Sequence, residues 1–537
     1  MNILTINTSH DGSITIACDN ELIVHQQIDR YNGIKNTTFP NIKIIEKIKE
    51  LNIKFDLIHF LSLEGSYTNV WADAFNKYHI FDKKTKVKIE DVFGEHHMYH
   101  AMSSVYFNKK VNKEYDIFIS DGEGAIKYFN ELPNNQCRER ISFYVYNKNL
   151  YRNFNYYSTD KSNYYQDKEK NISPKNINIG EAYRFFTKEF GYSYNEEGKL
   201  MALSSYGQFN KDLFDTFIYE NNFNLNTVLF DNQPNLDFKM YDNLNASPDN
   251  AYAQDFAFNF QKSCEEITLK LIKKHCKTES LCIGGGVMQN VLINTFLSKS
   301  LGKQVTVDPI GNDQGISLGA MVFNTGNKLE KKDTLYLGFK PEYNLNIFDN
   351  TNFKILDCSA KDASLILVKE PIAIFQGRSE QGQRGLGNRS LLMNPTHSEC
   401  IQKINAIKKR EWFRPFACSI LNEELSNWFH VDSDRNPFFM MFVFNARENV
   451  KDQIKNVLAN DGTCRLQSVT NHHNSNFHTL LKEFFYITKI PLLLNTSLNL
   501  PGHTLVETLE DLKKTMLNSN LKYSYLPDIN KLIIKND

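Results

Sequence analysis

Hydrophobic and polar positions alternate from the first residues of the chain. Ile3, Thr5 and Asn7 point one way and Leu4 and Ile6 the other, the period of a strand. A polar turn, Thr8-Ser9-His10-Asp11-Gly12-Ser13, follows. The runs Ile14–Cys18 and Leu22–Gln27, joined at Asp19-Asn20, then predict an antiparallel meander. Further on the period lengthens and shortens by turns. Ile42–Leu51 reads as a helix, Phe55–Leu63 as a strand, Gly94–Phe107 as a helix and Tyr115–Ser120 as a strand. Tyr252–Cys276 is a long amphipathic helix. Leu281–Ile283 is a short buried strand running into Gly284-Gly285-Gly286, with a helix over Val287–Leu297 and a strand over Val305–Asp308. This is a mixed α/β pattern with no visible internal repeat. Residues 326–350 are polar and aperiodic and predict a domain boundary, with residues 1–340 on one side and 351–537 on the other. The second α/β unit opens near Phe353, and its strand Pro371–Gln376 leads into a basic glycine loop.

Composition narrows the class. Of 537 residues, 41% are hydrophobic, enough for real cores. Lys plus Arg equals Asp plus Glu, 62 of each, so whole-chain charge gives no argument for a nucleic acid or a membrane. The nine cysteines form no Cys-x-x-Cys pair, which argues against a zinc ribbon or a disulfide framework and fits a reducing cytoplasm. The N-terminus lacks the basic and apolar pattern of a signal peptide, and no apolar run approaches the ~20 residues of a membrane span.

Five short patterns carry candidate chemistry. His96 and His100 stand at i and i+4 on one helix face, a spacing that holds one metal; a zinc protease would need Glu where His97 stands. Asp308-Pro309-Ile310-Gly311-Asn312-Asp313 ends a strand and opens a small-residue helix, and Asp313 is a candidate hard ligand. The glycine triplet, followed by Val287-Met288-Gln289-Asn290, lets a nucleotide approach the backbone but lacks the Rossmann and P-loop spacings. From Gln376 to Ser390, three arginines among four glycines form an anion site in composition, and Lys408, Lys409, Arg410 and Arg414 follow. Leu494-Asn495-Thr496-Ser497-Leu498-Asn499 runs from an apolar strand into amides and hydroxyls suited to a small polar ligand.

Taken in order, these patterns resemble the NodU/CmcH-type O-carbamoyltransferases. The resemblance also takes in Asp121-Gly122, Glu197 to Gly207, Arg410-Glu411-Trp412-Phe413-Arg414-Pro415-Phe416-Ala417, Asp461-Gly462-Thr463 and Arg465. It departs at His503, where Glu is usual, at Gly385 and at Met288-Gln289. It implies an actin-like (ASKHA) N-terminal domain and a YrdC-like α/β C-terminal domain. The latter would make carbamoyl-adenylate from ATP, with Mg2+, and carbamoyl phosphate, through Arg378, Arg384, Asn388, Arg389, Ser390, Lys409, Arg410, Arg414, Asn495, Ser497 and Asn499. In the former, His96, His100 and Asp313 would hold a metal, Fe2+ by resemblance. Asp121, Gly122, Lys199, Gly285, Gly286, Asn290 and Gly311 would bind the adenylate, and His10 and Asp11 would serve transfer to an acceptor hydroxyl.

The acceptor reads as a sugar or another small molecule. A hydroxymethylated pyrimidine, in a nucleotide or in DNA, is the alternative, because Phe143 to Tyr165 interleaves aromatic residues with Lys148, Arg152 and Lys161. A pair of amphipathic strands explains the same stretch. A kinase-like or non-catalytic actin-fold protein would not need the histidine pair together with the arginine loop. A cytoplasmic enzyme without a membrane partner is expected, with room for a homodimer.

Overall fold

The opening meander forms as its alternation predicts. β1 (Asn2–Asn7), β2 (Ser13–Cys18) and β3 (Glu21–Gln27) pair antiparallel, β4 (Leu57–Ser62) joins β1 in parallel, and β5 (Lys86–Asp91) follows, giving the order β3-β2-β1-β4-β5. The helix Ile42–Glu50 lays Ile44, Ile45 and Ile48 into a core shared with Leu4, Ile6, Ile14, Ile16 and Phe60. The computed structural model describes residues 1–62, 67–91, 95–108, 113–122, 124, 126–128, 136–158, 163–166, 172–174, 179–193, 195–217, 220–221, 224–225 and 247–536.

A second sheet repeats this topology. Its strands are β6 (Tyr115–Ser120), β7 (Ile126–Tyr128), β8 (Gln136–Asn147), β9 (Asn149–Ser158), β10 (Asn163–Gln166) and β11 (Ile172–Pro174), with β14 (Ser280–Gly284) and β15 (Gln304–Val307) added after a separate two-stranded ladder, β12 (Glu220–Asn221) and β13 (Asn224–Leu225). Within it runs the order β9-β8-β6-β14-β15, with β6–β8 and β8–β9 antiparallel and β6–β14 and β14–β15 parallel. β6, β8, β9, β14 and β15 therefore correspond in order to β1, β2, β3, β4 and β5. The chain carries two copies of one five-stranded plan, the architecture of an actin-like domain, although its residues show no repeat. Burial constrains hydrophobicity at alternate positions and leaves residue identity free.

The third sheet comprises β16 (Phe353–Asp357), β17 (Ile372–Phe375), β18 (Arg389–Met393), β19 (Ala417–Leu421), β20 (Val443–Asn445), β21 (Thr463–Val469), β22 (Leu492–Ser497), β23 (Tyr523–Leu526) and β24 (Lys531–Lys535). Its order is β16-β24-β23-β17-β18-β22-β19-β21-β20, again mixed α/β. By contacts the chain forms two units, one of Met1–Glu90 with Lys328–Asp537 and one of Asp91–Asn327. The aperiodic stretch 326–350 is no bare tether: Leu335, Leu337, Phe339 and Phe348 are buried, and Phe339 joins the core of the first sheet.

Several predicted elements shift. The helix expected from Val287 begins at Val291, because Gly286–Gln289 first forms a 3-10 turn and Asn290 caps the helix, accepting from the Leu292 and Ile293 amides at 3.1 Å. The aromatic stretch is an amphipathic hairpin. Phe143, Tyr144, Tyr146 and Tyr156 are buried, Tyr115 stacks on Tyr146, and the Arg152 guanidinium lies over Tyr144. Tyr151 is exposed; Lys161 and the side chains of Tyr157, Tyr164 and Tyr165 lie outside the described residues. Among the described residues no helix is long and apolar enough to cross a membrane.

One close approach holds the second unit together. A Cβ on Gly319, in the helix Ile316–Asn324, would collide with the carbonyl oxygen of Tyr99 in the helix His96–Phe107. Gly319→Ala should therefore force the helices apart and destabilise the protein by about 1–3 kcal/mol in urea unfolding. An unchanged unfolding midpoint would contradict this packing.

Candidate active site

The helix His96–Phe107 is buried on nearly every face, so its histidines are removed from water. The rings of His96 and His100 lie 4.7 Å apart at 80°, with their Nε2 atoms 3.1 Å apart. Two carboxylates reach the same point. Asp313 opens the turn before the helix Ile316–Asn324, and its Oδ1 lies 3.3 Å from each Nε2. Asp121, just past the end of β6, brings Oδ2 to 3.1 Å from His96 and 3.5 Å from His100. All four ligand atoms fall within 4.8 Å of one another. Asp121, expected from the sequence beside the nucleotide, thus stands as a fourth donor. Only its distance in sequence concealed it.

This donor set fits a transition metal. Two imidazoles and two carboxylates suit iron or zinc. With neutral rings the group carries two buried negative charges, which a divalent cation would balance. Without a cation the protein balances them with protons. Burial lowers the His96 pKa, but the Asp313 and Asp121 carboxylates outweigh it and raise it to about 10. Burial likewise opposes a charged His100, yet the same carboxylates raise it. Burial would raise both aspartates, and the two histidines hold them well below the usual carboxylate range. The Nδ1 atoms of both histidines have no hydrogen-bond partner among the described residues, so packing and the carboxylates at Nε2 orient the rings. His97 is different: its Nδ1 lies 2.7 Å from the Ser142 hydroxyl, and burial pushes it down to about 3, so it stays neutral.

Glycines bring backbone against this cluster. Gly285 has φ 90°, and a Cβ there would strike the Ser120 carbonyl at the end of β6. Its neighbour Gly286 donates its amide to Asp121 Oδ1 at 3.0 Å, fixing the carboxylate. The Gly311 turn hangs from Asp308, whose Oδ1 accepts the Ile310 amide at 2.9 Å and whose pKa burial raises to about 6. The carbonyl of Gly122 accepts from Arg140. Lys199 pairs with Glu196 at 2.7 Å beside the Tyr192 ring, and Asn290 bonds Tyr183 and Gln261 besides capping its helix. In the other unit, the turn after β1 leaves the His10 side chain half exposed, with Nδ1 3.3 Å from Asp11 Oδ2. Asp11 itself has φ 53°.

The arginine loop separates into a frame and a charge cluster. Arg389 is buried, packs its guanidinium 3.8 Å from the Phe375 centroid and donates to the carbonyls of Gln376 and Asn388. Arg378 donates to the Ile23 carbonyl, Asn388 to the Arg378 carbonyl at 2.7 Å, and the Gly387 amide to Ser390 Oγ at 2.9 Å. These residues build the loop. Arg384 points elsewhere. Burial lowers its pKa, and Arg465, Arg410 and Arg414 lower it further. Burial, then Arg414 and Arg465, bring Arg410 down to about 9, and Arg465 falls to about 10. Glu411, 3.1 Å from Arg414, offsets part of the cluster.

Lys409 is an exposed left-handed helix cap. Its neighbour Lys408 turns inward, donating to the carbonyls of Ser497 at 2.8 Å and Asn499 at 2.7 Å, and burial pushes its pKa well down. Ser497 bonds Asn499 at 2.7 Å, and Asn495 bonds the Gly385 carbonyl and Ser419, tying β22 to the loop. Arg465 is the residue that site reasoning from sequence passed over. Strand alternation in β21, with Cys464 and Leu466 buried on the other face, was the available signal.

Two outcomes test these clusters. The purified protein should carry about one transition-metal ion per chain, and alanine at His96, His100, Asp121 or Asp313 should weaken retention at least ~10-fold by elemental analysis. Unchanged metal in both histidine variants would end the assignment. Pyrophosphate should stabilise the protein, by ~2.7 kcal/mol at a hundredfold excess over its dissociation constant, and Arg465→Ala should abolish most of the melting shift. An equal shift in that variant would place the anion elsewhere.

Comparison with known proteins bears on the family. The profile described as Carbamoyltransferase N-terminus matches residues 28–322, and Carbamoyltransferase C-terminus matches residues 363–533. The chain is 26% identical over 549 residues to the uncharacterised protein MJ1051 of Methanocaldococcus jannaschii, covering 97% of each. It is 31% identical over 374 residues to nodulation protein NolNO of Sinorhizobium fredii, covering 65% of this chain and 54% of that one. It is 30% identical over 371 residues to nodulation protein NolO of Bradyrhizobium diazoefficiens, covering 65% and 68%. Among solved structures, full-length HypF in a phosphate- and nucleotide-bound form overlaps at 14% identity and a TM-score of 0.36, covering 62% of this chain and 47% of that one, too low to carry an inference. With one profile spanning more than half of its length and the other most of the remainder, the chain belongs to the carbamoyltransferase family and is a transferase enzyme.

Proposed function

We propose that the protein is an ATP-dependent O-carbamoyltransferase working in two steps: carbamoyl-adenylate forms at the arginine cluster of residues 351–537, and the carbamoyl group then passes to a hydroxyl through residues of 1–340. The observation that carries this reading is the cluster of Arg384, Lys408, Arg410, Arg414 and Arg465, where burial and mutual repulsion depress the pKa values of Arg384, Lys408, Arg410 and Arg465. Such a cluster is poised for a polyanion, and ATP with carbamoyl phosphate supplies one. For the atoms to balance, carbamoyl phosphate loses its phosphoryl group to water, and the released carbamate attacks the α-phosphorus of ATP, expelling pyrophosphate. The cations offset negative charge on the phosphates as that bond forms. The product is a mixed anhydride whose AMP leaves more readily than the phosphate of carbamoyl phosphate would leave to a neutral alcohol.

For transfer, a divalent ion held by His96, His100, Asp121 and Asp313 would supply positive charge to phosphate oxygens of the donor. By the family resemblance, Gly285 and Gly286 would lie against the nucleotide of the donor. His10, half exposed and beside Asp11, is suited to accept the proton of the attacking hydroxyl. A small-molecule hydroxyl is the acceptor we favour. The core positions of Phe143, Tyr144, Tyr146 and Tyr156 remove much of the stacking surface on which a nucleic-acid acceptor relied.

The two steps should separate. With ATP and carbamoyl phosphate alone, the wild type should release pyrophosphate, and Arg384→Ala or Arg465→Ala should lose about 100-fold or more of that rate. His10→Ala should keep pyrophosphate release yet lose transfer by about 100-fold, read as a mass gain of one carbamoyl group in a screen of sugars, nucleosides and hydroxymethylated nucleotides. Normal release in both arginine variants, or normal transfer in His10→Ala, would overturn the corresponding step.

A further inference from the structure

Arg30 lies more than 300 residues before the arginine loop, on the short helix Asp29–Asn32 that follows β3, and is buried. Both belong to the same compact unit. Its guanidinium spends its donors on that loop. One terminal nitrogen donates to the Glu380 carbonyl, the other to the Gly382 carbonyl at 3.1 Å, and Nε donates to Gln27 Oε1 at 2.8 Å. The Gln27 amide in turn donates to the Gln381 side chain at 3.0 Å, so the residue between the two held carbonyls is gripped as well. Glu507 lies 3.7 Å from the guanidinium, accepts from Ser379 at 2.8 Å and faces Gln26 at 3.3 Å. Within the loop, Glu380 Oε1 receives the amides of Leu386, Asn388 and Arg389. The loop is thus wound about Glu380 and pinned from outside by Arg30.

Arg384 leaves the chain two residues after the second pinned carbonyl and joins the cationic cluster. A planar fork that holds two carbonyls sets the direction of the backbone between them. The placement of the Arg384 guanidinium is the direct consequence. Arg30 sits in the frame and not among the clustered cations.

We propose that Arg30 is a positioning residue for the activating half-reaction: it holds the Glu380–Gly382 backbone so that Arg384 meets the phosphates, and the N-terminal segment is thereby required for chemistry performed by residues 351–537. This rests on the reading of the arginine cluster as the site of adenylate formation.

The test uses the full chain and a double-mutant cycle on pyrophosphate release from ATP and carbamoyl phosphate. Arg30→Lys keeps the charge opposite Glu507 but cannot fork to both carbonyls. Its kcat/KM should fall on the order of 100-fold, the scale of a misplaced catalytic group. Arg384→Lys should fall comparably. If Arg30 acts through Arg384, the double variant will be no worse than the poorer single variant. Should Arg30→Lys fail to fold, Arg30→Met with Glu507→Gln, which buries no lone charge, enters the same cycle. Wild-type kcat/KM in the Arg30 variant overturns the proposal, and so do losses that multiply in the double variant, as a general weakening of the fold would give. Wild-type kinetics in Arg384→Lys would instead overturn the assignment of the cluster, and the positioning role with it.

Discussion

A charge taken out of water needs a compensating charge, and this chain gathers like charges at two buried places. At one, two aspartates converge on two imidazoles and are neutralised only if the rings take up protons. At the other, four arginines and a lysine stand together with one nearby glutamate. A species of opposite charge would suit each, a dication at the first and, on the proposed function, a polyphosphate at the second. The equal totals of 62 acidic and 62 basic residues hide this separation completely, because net charge averages over surfaces that never meet.

Holding such clusters requires rigid backbone, and the chain achieves it by close packing and by polar frames. Gly319 lets two helices touch, which places Asp313 over His96 and His100. Gly286 donates its amide to Asp121 from the other side. In the arginine loop the frame consists of buried guanidiniums spent on carbonyls, Arg30 and Arg389 above all. Arginine serves here in two capacities, as a structural fork that donates to carbonyls and as a charge set among other cations.

That division explains how far the sequence could be read. The strand meander, the i, i+4 histidines and the glycine-rich turns were legible because each is a local pattern with a fixed period or spacing. The resemblance to a family named the reaction class from their order. The place of Asp121 beside the histidines was not legible, because it depends on β6 lying beside β8 and β14, a long-range pairing that no local window contains. Arg378 and Arg389 were indistinguishable from Arg384 in a run of glycines and arginines. Only the partners, Ile23, Gln376 and Phe375 for the first two and other cations for the third, separate frame from site. Lys408 and Lys409 likewise differ by one residue and a left-handed cap.

The duplicated topology draws these observations together. In each five-stranded sheet the central strand has an antiparallel neighbour on one side and a parallel neighbour on the other, so the chain reverses its direction of crossing there. At such a switch the turns leaving the strand ends diverge and open a crevice, the general location for ligands in α/β sheets. β1 ends in the turn bearing His10, Asp11 and Gly12, and β6 ends in Asp121 and Gly122. An Asp-Gly pair follows the central strand in both copies, at once after β6 and four residues on after β1. One copy has added a histidine toward the solvent and the other has turned its aspartate inward onto two histidines. The turn after the central strand thus bears a half-exposed histidine in one sheet and a carboxylate among imidazoles in the other.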